Sequence, residues 1–257
     1  MKYHIKLSRE MIKTAKIAIL PGDPGRVEKT AKVFNPDAVF LASNREYTSW
    51  LTEISSNKIL VCSTGIGGPS LSIAVEELAG LGIEYFIRIG TTGAIQPFIK
   101  IPSLIITTGA VRLDGASKHY APVEYPAVAD FDITSALIQG AKTTGVPYYK
   151  GITASSDTFY PGQERYDTYS EYVIKDFQGS LEQWQKLNVL NFEMESATLY
   201  TVASAFGLKA GCIASVIVNR TKNETPDDSV LAAAEKDLAD AVKSAVEHMI
   251  KTEGGND

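Results

Sequence analysis

Along the chain, short runs rich in β-branched apolar residues alternate with longer segments whose apolar positions recur at helical spacing. The runs Lys16–Leu20, Ile59–Ser63, Tyr85–Ile89, Leu104–Thr108, Tyr149–Ala154, Val189–Phe192 and Cys212–Val218 are apolar on both faces instead of alternating. That pattern predicts strands of a sheet covered on both sides. Helices are predicted over 25–34, 69–81, 133–143, 195–206 and 228–251, with Pro24 and Pro69 at two of the starts and Gly82 just past one end. The tail 253–257 is expected to fray. Strands in alternation with helices predict an α/β fold.

No Pro/Gly/Ser-rich linker or repeat divides the 257 residues, so a single domain over 1–257 is expected. Acidic residues outnumber basic ones by 30 to 25, which excludes a dedicated nucleic-acid binder but leaves room for one small anion. The N-terminal segment interleaves charges with apolar residues, and nowhere does an apolar run reach the roughly 20 residues of a membrane span. A cytoplasmic protein is therefore expected. Cys62 and Cys212 lie too far apart in sequence to suggest a disulfide framework or a cysteine metal site, and His4, His119 and His248 stand alone.

Chemistry is expected where strands end in glycine beside a cation or hydroxyl. Three such places occur: Gly22 with Arg26, Gly65-Ile66-Gly67-Gly68 with Ser70, and Arg88-Ile89-Gly90-Thr91-Thr92. Loops at the carboxyl ends of strands form the ligand crevice of open α/β sheets, and glycine lets backbone N–H groups approach an anion. Each loop alone is more readily explained as a tight turn, and none completes a phosphate-loop motif. Arg88 shifts the balance, because a guanidinium inside an apolar strand is costly unless it meets an anion, either a ligand or a protein carboxylate.

The segment 155–166 is polar, aromatic and rich in turn formers, which suits a binding loop or a plain surface loop. In the binding reading, Phe159 stacks on a planar ring while Gln163 and Arg165 bond its edge. Glu193 and Glu195, two residues apart, point to opposite sides of a strand and are expected not to act as a pair unless the chain kinks. One is then an orienting group and the other faces a ligand, with the Met194 thioether suited to a sugar ring.

Taken together, Gly-Asp-Pro-Gly-Arg (22–26), Arg-Ile-Gly-Thr-Thr-Gly (88–93), Phe-Tyr-Pro-Gly-Gln-Glu-Arg (159–165), Phe-Glu-Met-Glu (192–195) and Val-Ile-Val-Asn-Arg-Thr (216–221) resemble the hexameric nucleoside phosphorylase family, from about Tyr3 to the C-terminal helix. The resemblance implies a single three-layer α/β/α domain with a central mixed twisted sheet flanked by helices. It also implies reversible phosphorolysis of uridine, and of deoxyuridine, to uracil and ribose 1-phosphate. Gly22, Arg26, Arg88 and Thr91 match phosphate binders, with Arg45 supplied by a neighbouring subunit. Thr92, Met194 and Glu195 match ribose contacts, with His4 reaching across the dimer interface. Phe159, Gln163, Arg165, Ile217 and Val218 match the base pocket, supported by Glu193 and Arg220. Arg26, Arg88, Thr91, Arg165 and Glu195 carry the catalysis in this reading.

Glu46, Ile66 and Ser70 match a monovalent-cation site, K+ being the candidate, at a dimer interface of a hexamer built as a trimer of dimers. Inorganic phosphate is the co-substrate, no further cofactor is required, and neither nucleic acid nor a membrane is a partner. Purine-specific relatives place an Asp where this chain reads Asn219-Arg220, which favours a pyrimidine. The alternatives are purine nucleoside phosphorolysis, nucleoside hydrolysis, or nucleoside binding without catalysis. Hydrolysis is expected to dispense with the phosphate arginines, yet Arg26, Arg45 and Arg88 are all present.

Overall fold

A computed structural model describes residues 1–222 and 228–253, so the expected fraying beyond Glu253 lies outside the described residues. In chain order the elements are α1 (Arg9–Ile12), β1 (Ile17–Pro21), α2 (Val27–Phe34), β2 (Val39–Asn44), β3 (Tyr47–Ile54), β4 (Asn57–Cys62), α3 (Gly68–Ala79), β5 (Tyr85–Ala94), β6 (Ser103–Leu113), β7 (Ala127–Val128), α4 (Phe131–Thr144), β8 (Tyr148–Ser156), α5 (Ser180–Lys186), β9 (Asn191–Glu193), α6 (Ser196–Ala205), β10 (Lys209–Asn219) and α7 (Asp228–Glu253). Every predicted strand and helix has a counterpart. The antiparallel hairpins β2–β3 and β3–β4 were not anticipated, because their turns use Arg45, Ser55 and Ser56 at positive φ where Asn-Gly or Asp-Gly is the usual signal.

Residue parity explains the two helical layers. Alternate side chains of one strand point to opposite faces. Ala18 and Leu20 of β1, Leu60 and Cys62 of β4, and Phe86 of β5 therefore join α3 and α6 in one apolar cluster. Ile17, Ile19, Ile59, Val61, Ile87 and Ile89 join α2, α4 and α7 in another. The layers pack closely: a Cβ on Gly140 of α4 would lie 2.1 Å from the Ala241 carbonyl of α7, so only glycine lets these helices approach. Among the described residues no helix is long and apolar enough to cross a membrane.

The sheet is mixed, as expected. Its strand order is β10-β6-β8-β9-β5-β1-β4-β3-β2, with β7 on β6. It also closes on itself, which the expected open layer did not include. One edge of β5 runs parallel to β10, while its other edge pairs with β1 up to Ile89 and with β9 at Gly93 and Ala94. The ring β5-β10-β6-β8-β9 gathers the ends of β5, β8, β9 and β10, and β1 ends beside it.

Candidate active site

A cavity of about 560 Å³ opens at those strand ends. Gly22, Asp23 and Arg26 enter it after β1, Ile66 after β4, and Arg88 and Gly90 to Gly93 from β5. Phe159, Gln163, Arg165 and Asp167 follow β8, Phe192 to Glu195 come from β9 and the start of α6, and Ile217 and Val218 come from β10. A β-bulge between Val216 and Val218 shifts the register and turns both Ile217 and Val218 inward.

At one end, Arg88 shares the strand parity of Phe86 and points toward the α3/α6 layer, with 6% of its surface exposed. Its Nε donates to Glu193 Oε2 at 3.1 Å, and its Nη2 pairs with Glu195 Oε2. Both carboxylates reach it because the chain kinks at Glu195 (φ −139°, ψ −24°), the residue that opens α6. This kink is the condition under which two acids two residues apart could meet one partner. The carboxylate alternative for Arg88 is thus realised, but incompletely. Buried Nη1 has no hydrogen-bond partner among the described residues, and a Cβ built on Gly22 would lie 3.9 Å from it. An unpaired buried guanidinium donor is expensive, which marks the place where an anion belongs.

The two acids have different surroundings. Glu193 accepts from the amides of Glu195 (2.9 Å) and Ser196 (3.0 Å) and from the Ser196 hydroxyl (2.6 Å) at the N-terminus of α6. Burial works against its ionisation, but Arg88 and these donors hold its pKa below the usual carboxylate range. Glu195 accepts from the Gly67 amide at 2.6 Å. Burial raises its pKa despite Arg88, and the nearby Glu193 charge adds to the rise. For Arg88 itself burial favours the neutral form, but the two carboxylates outweigh it and the guanidinium stays charged. Glu193 is therefore the orienting acid and Glu195 the one with reason to change partners.

Arg26, also nearly buried, feels the Arg88 charge and forms an ion pair through its Nε with Glu235 Oε1 of α7 at 3.1 Å. Strands β1 and β4 are laced beyond their ends, with the Gly65 amide donating to the Gly22 carbonyl at 3.0 Å. Thr91 lines the cavity, as does Thr92, whose hydroxyl donates to the Phe192 carbonyl (2.6 Å) and accepts from Asn191 Nδ2 (2.8 Å).

At the other end, the 159–165 turn is clamped from two sides. Arg220 Nη1 donates to the Gln163 carbonyl at 2.7 Å, and the Glu164 carboxylate receives the Leu181 amide at 2.6 Å together with that of Gly179. Gln163 is 3% exposed, whereas Phe159 is 47% exposed with the Arg165 guanidinium 4.3 Å from its ring centre. Asn219 is held elsewhere: its amide donates to the carbonyls of Gln96 (3.0 Å) and Ile99 (2.9 Å).

His4, Arg45, Glu46 and Ser70 lie apart from the cavity. His4 gives its backbone amide to Glu77, and its Nδ1 lies 2.8 Å from the same carboxylate. Arg45 is exposed on the β2–β3 turn. Glu46 accepts from the Ser70 hydroxyl at 2.8 Å, and Ile66, grouped with them in the sequence, instead lines the cavity with 76% of its surface exposed. Asp167 and Glu235 were missed. Neither belongs to a local motif, and each reaches the site only through the folded chain.

The chain matches the Phosphorylase superfamily over residues 16–251. It is 56% identical over 249 residues to the uridine phosphorylase of Haemophilus influenzae, covering 96% of this chain and 98% of that protein. Identity is again 56%, over 245 residues, to the uridine phosphorylase of Escherichia coli, with 95% of each chain covered. The uridine phosphorylase of Thermococcus kodakarensis is 48% identical over 224 residues, 87% of this chain and 79% of that one.

Proposed function

Because the chain belongs to the phosphorylase superfamily, we propose that its cavity carries out the reversible phosphorolysis of uridine, deoxyuridine included, to uracil and ribose 1-phosphate. The observation that carries this reading is a single cavity with two unlike ends. Arg26, the spare donor of Arg88 and the Gly22 loop stand at one, and Gln163, Arg165 and Phe159 at the other, with Met194 and Glu195 in the same lining. Those groups match phosphate, a planar base and ribose.

In this mechanism phosphate attacks the anomeric carbon as the glycosidic bond breaks, so positive charge develops on the ribose and negative charge on the departing base. Arg26, Arg88, Thr91 and the Gly22 amide orient the nucleophile, a task of positioning and charge stabilisation. Glu195, whose raised pKa reflects a costly buried charge, exchanges its Arg88 contact for ribose hydroxyls and steadies the oxocarbenium-like sugar, while Met194 packs on the ring. Releasing Arg88 Nη2 in the same movement gives phosphate a second guanidinium donor. Gln163 and Arg165 donate toward the uracil edge and lower the energy of the leaving anion. Asn219 is no acid and its amide is committed to Gln96 and Ile99, which supports a pyrimidine over a purine that needs protonation.

Protein carboxylates already neutralise Arg26 and Arg88, so a phosphate dianion calls for a further cation. Arg45 of a neighbouring copy supplies it in our reading, and His4 joins the ribose end in the same way. Both stand outside their own chain's cavity, which supports a site shared within a dimer and a hexamer of such dimers. The hard oxygens of Glu46 and Ser70 fit a monovalent cation such as K+. Bound there, it would offset the Glu46 charges of two facing copies. The two buried free thiols, Cys62 and Cys212, suit a reducing cytoplasm.

The test is uracil release from uridine with and without phosphate, with inosine in parallel. Phosphate-dependent release and a preference for uridine are expected. Equal turnover without phosphate would overturn phosphorolysis, and a preference for inosine would overturn the base assignment.

A further inference from the structure

The two arginines of the phosphate end are supported differently. Arg88 is held by Glu193 and Glu195, both of which line the cavity. Arg26 is held by Glu235, which does not line it and lies instead on the C-terminal helix α7. Burial pulls the Arg26 pKa below its ordinary value, Glu235 opposes the fall and the Arg88 charge adds to it. Glu235, with a smaller contribution from Asp23, therefore makes a second buried guanidinium tolerable beside the first.

The helix that carries Glu235 is itself fixed to the sheet. The buried Ser215 hydroxyl of β10 donates to the carbonyl of Ala234, the residue before Glu235, at 2.9 Å. Two residues beyond Ser215, the same strand presents Ile217 to the cavity. Strand β10 thus sets both the cavity wall and the position of the acid behind Arg26. A guanidinium has a fixed planar fork, so anchoring Nε fixes the plane of the remaining donors.

We propose that Glu235 is a positioning residue for phosphate: by holding Arg26 Nε it leaves the other donors of that guanidinium, oriented and charged, for the cavity that Arg26 lines. This rests on the reading of Arg26 as a phosphate ligand. Phosphate affinity then depends on a side chain that touches neither phosphate nor nucleoside, and α7 becomes part of the phosphate site.

The experiment compares the parent with Glu235→Ala, Glu235→Gln and Lys29→Ala. KM for phosphate is measured at saturating uridine, and KM for uridine at saturating phosphate. Glu235→Ala removes the counter-charge of a buried ion pair and should raise the phosphate KM about tenfold or more, leaving the uridine KM within about twofold. Glu235→Gln keeps the size of the side chain but removes its charge, and its phosphate KM should fall between those of the parent and Glu235→Ala. Lys29, exposed and 3.9 Å from Glu235, is the surface-charge control and should change neither constant. An unchanged phosphate KM in a folded Glu235→Ala would overturn the proposal while leaving phosphorolysis intact. Equal increases in both constants would also overturn it, by showing general loosening of the site. Phosphate-independent turnover by the parent would instead overturn the reading of the site and this inference with it.

Discussion

The two ends of the cavity are built by different means. The phosphate end is made of strand termini and buried ions, with Arg88 between Glu193 and Glu195 and Arg26 against Glu235. The base end is a turn whose backbone is clamped by Arg220 and Glu164, and its aromatic residue is half exposed. A dianion is strongly hydrated, so binding it requires donors oriented beforehand in a rigid frame. A neutral planar ring needs only a flat apolar contact and a few edge donors, which a loop can supply. Variants at the two ends should therefore separate cleanly in kinetics: the phosphate constant should respond to one end and the uridine constant to the other.

The largest effect is expected for Arg88→Ala. Turnover should fall by about 10²- to 10³-fold with a steep rise in the phosphate KM. Loss of the cation also strands two buried carboxylates, so thermal unfolding should report a destabilisation of about 3–5 kcal/mol. An unchanged phosphate KM would reduce Arg88 to a structural ion pair and erase the distinction between the ends. Next comes Glu195→Gln, which keeps the shape but removes the charge that steadies the ribose. Its kcat should drop by about a hundredfold with smaller changes in either KM, because the contact strengthens in the transition state.

Arg220→Ala tests the base end from behind. Without the bond to the Gln163 carbonyl the turn loosens, and the uridine KM should rise about tenfold while the phosphate KM holds. Equal movement of both constants would show that the clamp supports the whole cavity and not one end. Phe159→Leu is the mildest change: it removes a stacking partner worth about 1 kcal/mol and should raise the uridine KM about fivefold.

The same division governs what could be read from the chain before folding. Arg88 was legible because a guanidinium within Tyr-Phe-Ile-Arg-Ile-Gly needs an anionic partner wherever that strand lies. The turn at 159–165 was legible from its composition. The joint approach of Glu193 and Glu195 to Arg88 depends on one backbone kink, and the inward turn of both Ile217 and Val218 depends on one bulge. Neither leaves a mark in residue type. Closure of the sheet was hidden for a related reason: β9 is three residues long and pairs with only the last two residues of β5. Glu235 was invisible, since a Glu on an amphipathic helix looks like any solvated charge until α7 docks beside Arg26.

If the phosphate end delivers the nucleophile to the sugar, the sugar half must leave as its 1-phosphate. In phosphorus NMR of uridine with the enzyme and inorganic phosphate, the phosphate signal should be replaced by that of ribose 1-phosphate, with one equivalent of uracil formed for each. Free ribose, with the phosphate signal undiminished, would mean that water and not phosphate attacks the sugar.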